Sequence, residues 1–423
     1  MKKRMTLLFA TVLALSVTGC NSKKDTFKPA LDTETKCKII INGHYDNFEA
    51  LDGPIDKFNK IYPNVEVTYT KVDNYTKEDV INDLFASDNA PDIYFINNGW
   101  ESDSRYTKLF EVAEDLSDPA TGIDLSQIRE GLIYKDTQNH VPSVPIFTNS
   151  YGMMVNEQLF EKNKLKVPKT YDELISVCNS LKGLGYDSPV MSYNGSLYSF
   201  YFPYFLSTIN GNQQAVTALN SLQATAGSYV RSALEKASDF MSKNFIDKDK
   251  CVAEIAKDNT DSICLRFYEG DVPMIFTEVN KLSGSNKRET KSEAYQLNPF
   301  KYSFQPIPTS NNSGYYYNTL TLAFGVNKNS KNLAMTNEFM RFLIRSSILN
   351  EMSSSKRQIS PAKALGDDKL FNSFKEVLSN NRVFYNYKVG LSSTADSQVR
   401  KTFDAFIGGA TIDEAIAGYG SYN

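Results

Sequence analysis

Between Lys38 and Ile96 the chain alternates short β-branched runs with runs of helical apolar spacing, and few folds accommodate that alternation. Lys38–Asn42, Val65–Tyr69 and Pro91–Ile96 have the length and composition of strands. Between the first two lies a stretch with Pro54 suited to a first helical turn and Ile55, Phe58 and Ile61 on one face. Between the second and third, Lys77–Ala86 carries Val80, Ile81, Leu84 and Phe85 as a helical stripe. A β-α-β-α-β order implies a parallel sheet with right-handed crossovers. Ligands of such sheets lie beyond the carboxyl ends of strands, here Asn42–Tyr45 and Asn97–Trp100.

A second informative stretch runs from Pro142 to Leu181. Pro142 and Pro145 fix φ and bias their neighbours to extended backbone, so Val141–Thr148 reads as an extended crossing. Tyr151–Asn156 then reads as a buried strand. Thr170 and Glu173 are spaced as a capping box, and Leu174, Ile175, Cys178 and Leu181 follow at helical intervals.

The run YGMMVNEQLFEKNKLKVPKTYDEL within this stretch resembles the signature segment of the extracellular solute-binding proteins of ABC importers, the family that includes maltose-binding protein. FNKIYPNVEVTY followed by APDIYF, the segment EVAEDLSDP, the strand entry Phe267–Phe276 and the ending opened by Thr411–Glu414 are similar to the same family. The resemblance implies an α/β fold of two lobes, each a mainly parallel sheet flanked by helices, with the ligand in the cleft between them. It places one lobe at residues 37–147 and 306–355 and the other at 148–305 and 356–423. Crossings are expected near residues 143–149, 303–309 and 353–361. It further implies a monomeric receptor that closes by hinge motion and presents its cargo to membrane permease subunits.

Met1–Arg4 is positively charged, Leu7–Val17 is apolar but too short to span a bilayer as a mature helix, and Val17-Thr-Gly-Cys20 follows. The segment resembles a bacterial lipoprotein leader: residues 1–19 would be removed and Cys20 lipidated, giving an extracytoplasmic protein anchored to the membrane by that lipid. Residues 20–36 are polar and without periodicity, and read as a flexible tether.

The formal net charge is −3, more negative still without Lys2, Lys3 and Arg4, so the chain has no electrostatic footprint for nucleic acid. Four cysteines besides Cys20, no CxxC pair and only His44 and His140 offer no pattern for zinc, and no cofactor is expected. Cys178 reads as a buried thiol, whereas Cys251 and Cys264 are open to pairing or to remaining free.

The cleft of such a protein calls for aromatic faces and planar or hydroxylic hydrogen-bonding groups. Trp100, the single tryptophan, follows a strand end and offers a ring to stack on a sugar; the alternative is a plug between loop and core. Asn97 and Asn98 could bind hydroxyls or simply form a turn. Asn42, His44 and Tyr45 stand at the first strand end with the same ambiguity. Tyr193, Tyr198, Glu278, Asn280 and Tyr316 are the further candidates, while Thr148 and Asn149 read as structural hinge residues. These groups favour capture of a carbohydrate. A secreted glycoside-active enzyme would need two carboxylates in a catalytic setting, and no such motif stands out. A peptide, polyamine or other cation would keep the fold and change the ligand, with Glu278 as its attraction. An anion would call for arginine in the cleft loops, and the nominated loops have none.

Overall fold

The computed structural model describes residues 27–192, 198–282, 285–310 and 313–422. Its strands are β1 (Cys37–Gly43), β2 (Val65–Lys71), β3 (Ile93–Asn97), β4 (Val144–Asn156), β5 (Val190–Ser192), β6 (Met274–Glu278), β7 (Tyr302–Gln305), β8 (Ile307–Ser310), β9 (Ser313–Val326) and β10 (Val383–Tyr385). The main sheet path is β2-β1-β3-β9-β4-β6-β5. β1 is parallel to β2 and β3, and β5 is parallel to β6. Between the strands of the first βαβ units, helix Asp52–Asn59 buries Phe58 and helix Glu78–Ala86 buries Ile81.

The two longest strands, β4 and β9, run antiparallel to each other and to all their other partners except β10, which is parallel to β9, and they hold the molecule together. β4 pairs with β9 from Val144 to Ser150, then exchanges partners and pairs with β6 and β7 from Tyr151 to Asn156. The expected extended crossing and the strand after it are therefore one continuous strand. Pro145 fits within it because β6 pairs only from Tyr151 onward, and the β4–β9 register shifts on either side of Phe147.

Two separate apolar cores form along these strands. One gathers Ile39, Phe58, Phe95, Phe324 and Phe339; the other gathers Met153, Phe200, Phe240, Phe276 and Phe304. The chain changes core between Phe147 and Met153 on β4 and between Tyr317 and Leu320 on β9. It changes again beyond Met352, where Ile359 joins the second core. Residues 303–309, expected as a crossing, instead sit against the second core through Phe304 and Ile307. The passage back occurs about a dozen residues later, because β9 is long enough to serve both cores.

Three local expectations meet their physical reasons here. Thr170 and Glu173 close both halves of a capping box, and Leu174, Cys178 and Leu181 behind it are fully buried. Cys251 and Cys264 are buried and form no disulfide. Both stand on helix Lys248–Tyr268, where thirteen residues of separation put them about 20 Å apart, far beyond disulfide reach. Finally, residues 27–36 are no free tether. Phe27 packs edge-on to Phe342 at 5.3 Å with the Arg341 guanidinium 4.3 Å over its ring. The Ala30 amide donates to Glu338 at 2.9 Å, and Arg341 donates to the Lys28 carbonyl at 2.7 Å. Burial works to raise the Glu338 pKa, but hydrogen bonds from Arg341, Tyr62 and Ala30 outweigh it and hold it below the usual carboxylate value.

Candidate functional site

Where the two cores meet, β3, β4 and β9 open onto a cleft of about 690 Å³. Strand alternation supplies its floor. Tyr317, Thr319 and Thr321 are alternate residues of β9, Asn149 and Tyr151 are alternate residues of β4, and all five line the cleft. Helix Ser393–Ile407, capped by Ser392, supplies one wall: Ser393, Asp396 and Arg400 recur at three- and four-residue intervals, so they share a face. The opposite wall is the turn after β3, comprising Asn97, Asn98, Gly99, Glu101 and Ser102. Gly99 has φ of +84°, a left-handed conformation that a side chain would resist.

The polar groups of the cleft are held in place. Asn149 donates to Glu278 at 2.5 Å, accepts from the Asn280 amide at 3.1 Å, and its carbonyl accepts from Asn318 at 2.8 Å. Thr321 donates to Asn280 at 3.1 Å. Arg400 pairs with Asp396 at 2.8 Å, donates to the Tyr151 hydroxyl at 3.3 Å, and lies 5.1 Å over the Phe202 ring. Tyr151 stacks nearly parallel to Tyr317, ring centres 6.1 Å apart, and burial pushes its pKa up to about 12. Burial also raises the Glu101 carboxyl, opposed by backbone amides and the Tyr387 hydroxyl. Contacts close the mouth between the two cores: Ser102 to Ser393 at 3.4 Å, Glu130 to Lys388 at 2.7 Å, and Tyr134 against Tyr387 with ring centres 5.6 Å apart.

Of the residues nominated from sequence, Asn97, Asn98 and Asn280 line this cleft. Glu278 does not; its carboxylate accepts a hydrogen bond from Asn149, which does line the cleft. Tyr316 is fully buried in the second core, its hydroxyl bonded to the Phe304 carbonyl and Ser373, and its neighbour Tyr317 faces the cleft instead. A one-residue error of phase on a strand moves a side chain to the other face. Trp100 is 9% exposed and stacked flat on Tyr106, ring centres 3.9 Å apart, beneath the turn that carries Glu101 and Ser102. It is the plug, not the platform. His44 and Tyr45 belong to the aromatic cluster around Phe95, where burial lowers the His44 pKa and keeps the ring neutral at pH 7. Asn42 is buried at the end of β1 and does not line the cleft. Tyr193 lies outside the described residues; Tyr198 begins helix Tyr198–Ile209, and its side chain is likewise outside them.

Sequence reasoning missed Tyr151, Arg400 and Asp396 as cleft residues, read Asn149 as a hinge residue, and chose Tyr316 where its neighbour Tyr317 lines the cleft. The period-two spacing 317-319-321 and the helical spacing 393-396-400 were the signals available. Arg400 also corrects the expectation of a cleft without arginine. Among the described residues no group of three His, Cys, Asp or Glu side chains could hold a metal, and no helix is long and apolar enough to cross a membrane.

Trp100→Ala is expected to destabilise the chain by about 3–5 kcal/mol, since it removes a packed ring with its stacking partner. Urea denaturation measures this; a loss under about 1 kcal/mol would contradict the packed placement.

Two cores with a polar cleft between them form the frame of a binding protein. The chain matches the bacterial extracellular solute-binding proteins over residues 42–347, and it belongs to that family. No curated protein matches it. The fold is shared with RafE solved with raffinose (18% identity, TM-score 0.65, 91% of this chain and 98% of that one). It is also shared with the sugar-binding protein MalE from Xanthomonas citri (14%, 0.69, 91% and 96%). A third is a sugar transporter from Bacillus licheniformis in complex with stachyose (16%, 0.57, 91% and 100%).

Proposed function

We propose that this chain captures a neutral oligosaccharide in the cleft between its two cores, closes on it by hinge motion, and delivers it to the permease of an ABC importer. Residues 1–19 are then a lipoprotein leader, and lipid on Cys20 holds the protein outside the cytoplasm at the membrane. The observation that carries the reading is the lining itself. Asparagine, serine, threonine and tyrosine side chains from both cores converge on a volume within the range of about 300–1,000 Å³ usual for small-molecule sites. The single arginine is matched by Asp396, which suits hydroxyls sharing both partners better than it suits a free anion. The raffinose and stachyose bound by structures of the same fold support the same class of ligand.

The test is calorimetric titration of the chain with mono-, di- and trisaccharides, galactosides and glucosides included. Saturable binding of one sugar class is expected; flat traces across the panel would reject the carbohydrate reading. Trp100 gives a parallel signal, because it sits under the turn that forms one wall. For the anchor, Cys20→Ala is expected to move the protein from the membrane fraction to the medium, and retention in the membrane would reject lipidation at Cys20.

A further inference from the structure

Residues 385–393 reach from the second core across the mouth of the cleft, and both ends of this segment are rooted in the second core. At one end β10 pairs with β9, and Phe384 stacks on Tyr315 with ring centres 4.9 Å apart. At the other, Asn220 donates to the Gly390 carbonyl at 2.8 Å and accepts from the Ser392 amide at 2.9 Å. Helix Ser393–Ile407 then carries Val399 and Phe403 into the second core. With these roots the segment travels with the second core in any hinge motion.

Its contacts with the first core are fewer and of unequal weight. Lys388 pairs with Glu130 at 2.7 Å, but both side chains are more than half exposed, so the pair contributes little. Ser102 and Ser393 share a long contact at 3.4 Å. Tyr387 makes the strong one. Its hydroxyl donates to the Glu101 carboxylate, and its ring packs against Tyr134 with centres 5.6 Å apart.

Glu101 is what gives that contact its weight. It follows Trp100 of the first core and lines the cleft, and burial strips its carboxylate of water. A desolvated carboxylate needs donors. Backbone amides of its own turn supply some, and Tyr387 supplies one from the opposite core. Closing the cores without that hydroxyl would bury the charge short of a donor, which costs more than one neutral hydrogen bond lost.

We propose that residues 385–393 are a clasp that holds the cleft shut, with Tyr387 as its positioning residue and the Glu101 carboxylate as its catch. Tyr387 and Ser393 also line the cleft, so the clasp bears on how long a guest stays inside. The identity of that guest rests on the proposed function; the closing of the clasp does not.

The experiment traps the clasp by oxidation with no sugar present. Ser102→Cys and Ser393→Cys are introduced together in the full chain, where the two hydroxyls already meet. Disulfide formation with diamide is followed on non-reducing gels, and the parent chain with its native cysteines is the control. The rate reports how often the clasp is closed. A disulfide between positions 102 and 393 is expected. Tyr387→Phe, which removes only the hydroxyl, should slow its formation by about tenfold. Adding Glu101→Gln to that variant removes the unpaired charge and should bring the rate back to within about threefold of the starting pair, a recovery that misfolding cannot imitate. Failure to form the disulfide overturns the proposal. So does a Tyr387→Phe rate within about twofold of the starting pair, or no recovery on adding Glu101→Gln. Flat sugar titrations beside the expected trapping rates would reject the carbohydrate guest and leave the clasp standing.

Discussion

Replacing Arg129 with methionine is expected to lower the stability of the chain by about 3–5 kcal/mol. Arg129 is 4% exposed and joins three segments that are far apart in sequence. Its guanidinium donates to the Ser360 carbonyl at 2.5 Å, the Ala362 carbonyl at 3.0 Å and Asn318 Oδ1 at 2.9 Å. Asn318 in turn donates to the Asn149 carbonyl on β4, so one buried cation ties together the places where β4, β9 and the third passage change core. Burial lowers its pKa to about 10, which still leaves it charged at neutral pH. Methionine would fill much of the volume and relieve the cost of burying a charge, but three acceptors would lose their donor. Each such loss is worth about 1–3 kcal/mol, which outweighs the relief. Arg129→Lys keeps the charge yet cannot reproduce the fork, and should recover less than half of the loss. Urea midpoints measure all three proteins. A methionine variant within about 1 kcal/mol of the parent would mean that the junction is held by strand pairing alone.

The sequence made the first core legible because its signals are local. Strand-length apolar runs, the helical stripe around Ile81 and the Thr170 capping box each depend on residues within a few positions. It also located Asn97 and Asn98, since the carboxyl end of β3 is fixed once β3 is found. The remaining cleft residues depend on long-range geometry. Nothing near Arg400 says that helix Ser393–Ile407 stands opposite the turn after β3, almost three hundred residues earlier. Tyr316 and Tyr317 sit in a run of three tyrosines, Tyr315–Tyr317, where composition gives no phase and only the pairing of β9 decides which ring faces out. Trp100 misled for a different reason: its place after a strand end suits a ligand contact, but Tyr106 six residues on covers its face. Phe27–Lys36 looked like tether because docking onto Glu338 and Arg341 uses a few polar contacts that leave no periodicity.

The largest expected effect on binding belongs to Arg400. Arg400→Ala should weaken sugar binding by about 30-fold, near 2 kcal/mol, as measured by calorimetry against whichever sugar the panel identifies. Two consequences of the substitution act together. It removes a charged donor from the cleft wall, and hydrogen bonds from charged groups are worth more than neutral ones. It also leaves Asp396, 25% exposed at its side chain, without its guanidinium partner. A carboxylate so exposed keeps water, and that water must be displaced when a sugar enters. Arg400→Lys separates these effects: it retains a cation near Asp396 and loses the planar contact over Phe202 and the reach to Tyr151. An affinity restored by lysine would assign the loss to Asp396; an affinity still reduced would assign it to the fork. An unchanged dissociation constant in the alanine variant would make Arg400 a structural partner of Asp396 only. Recognition would then rest on the neutral groups, with Asn97, Asn98 and Asn280 facing the ligand from the two cores.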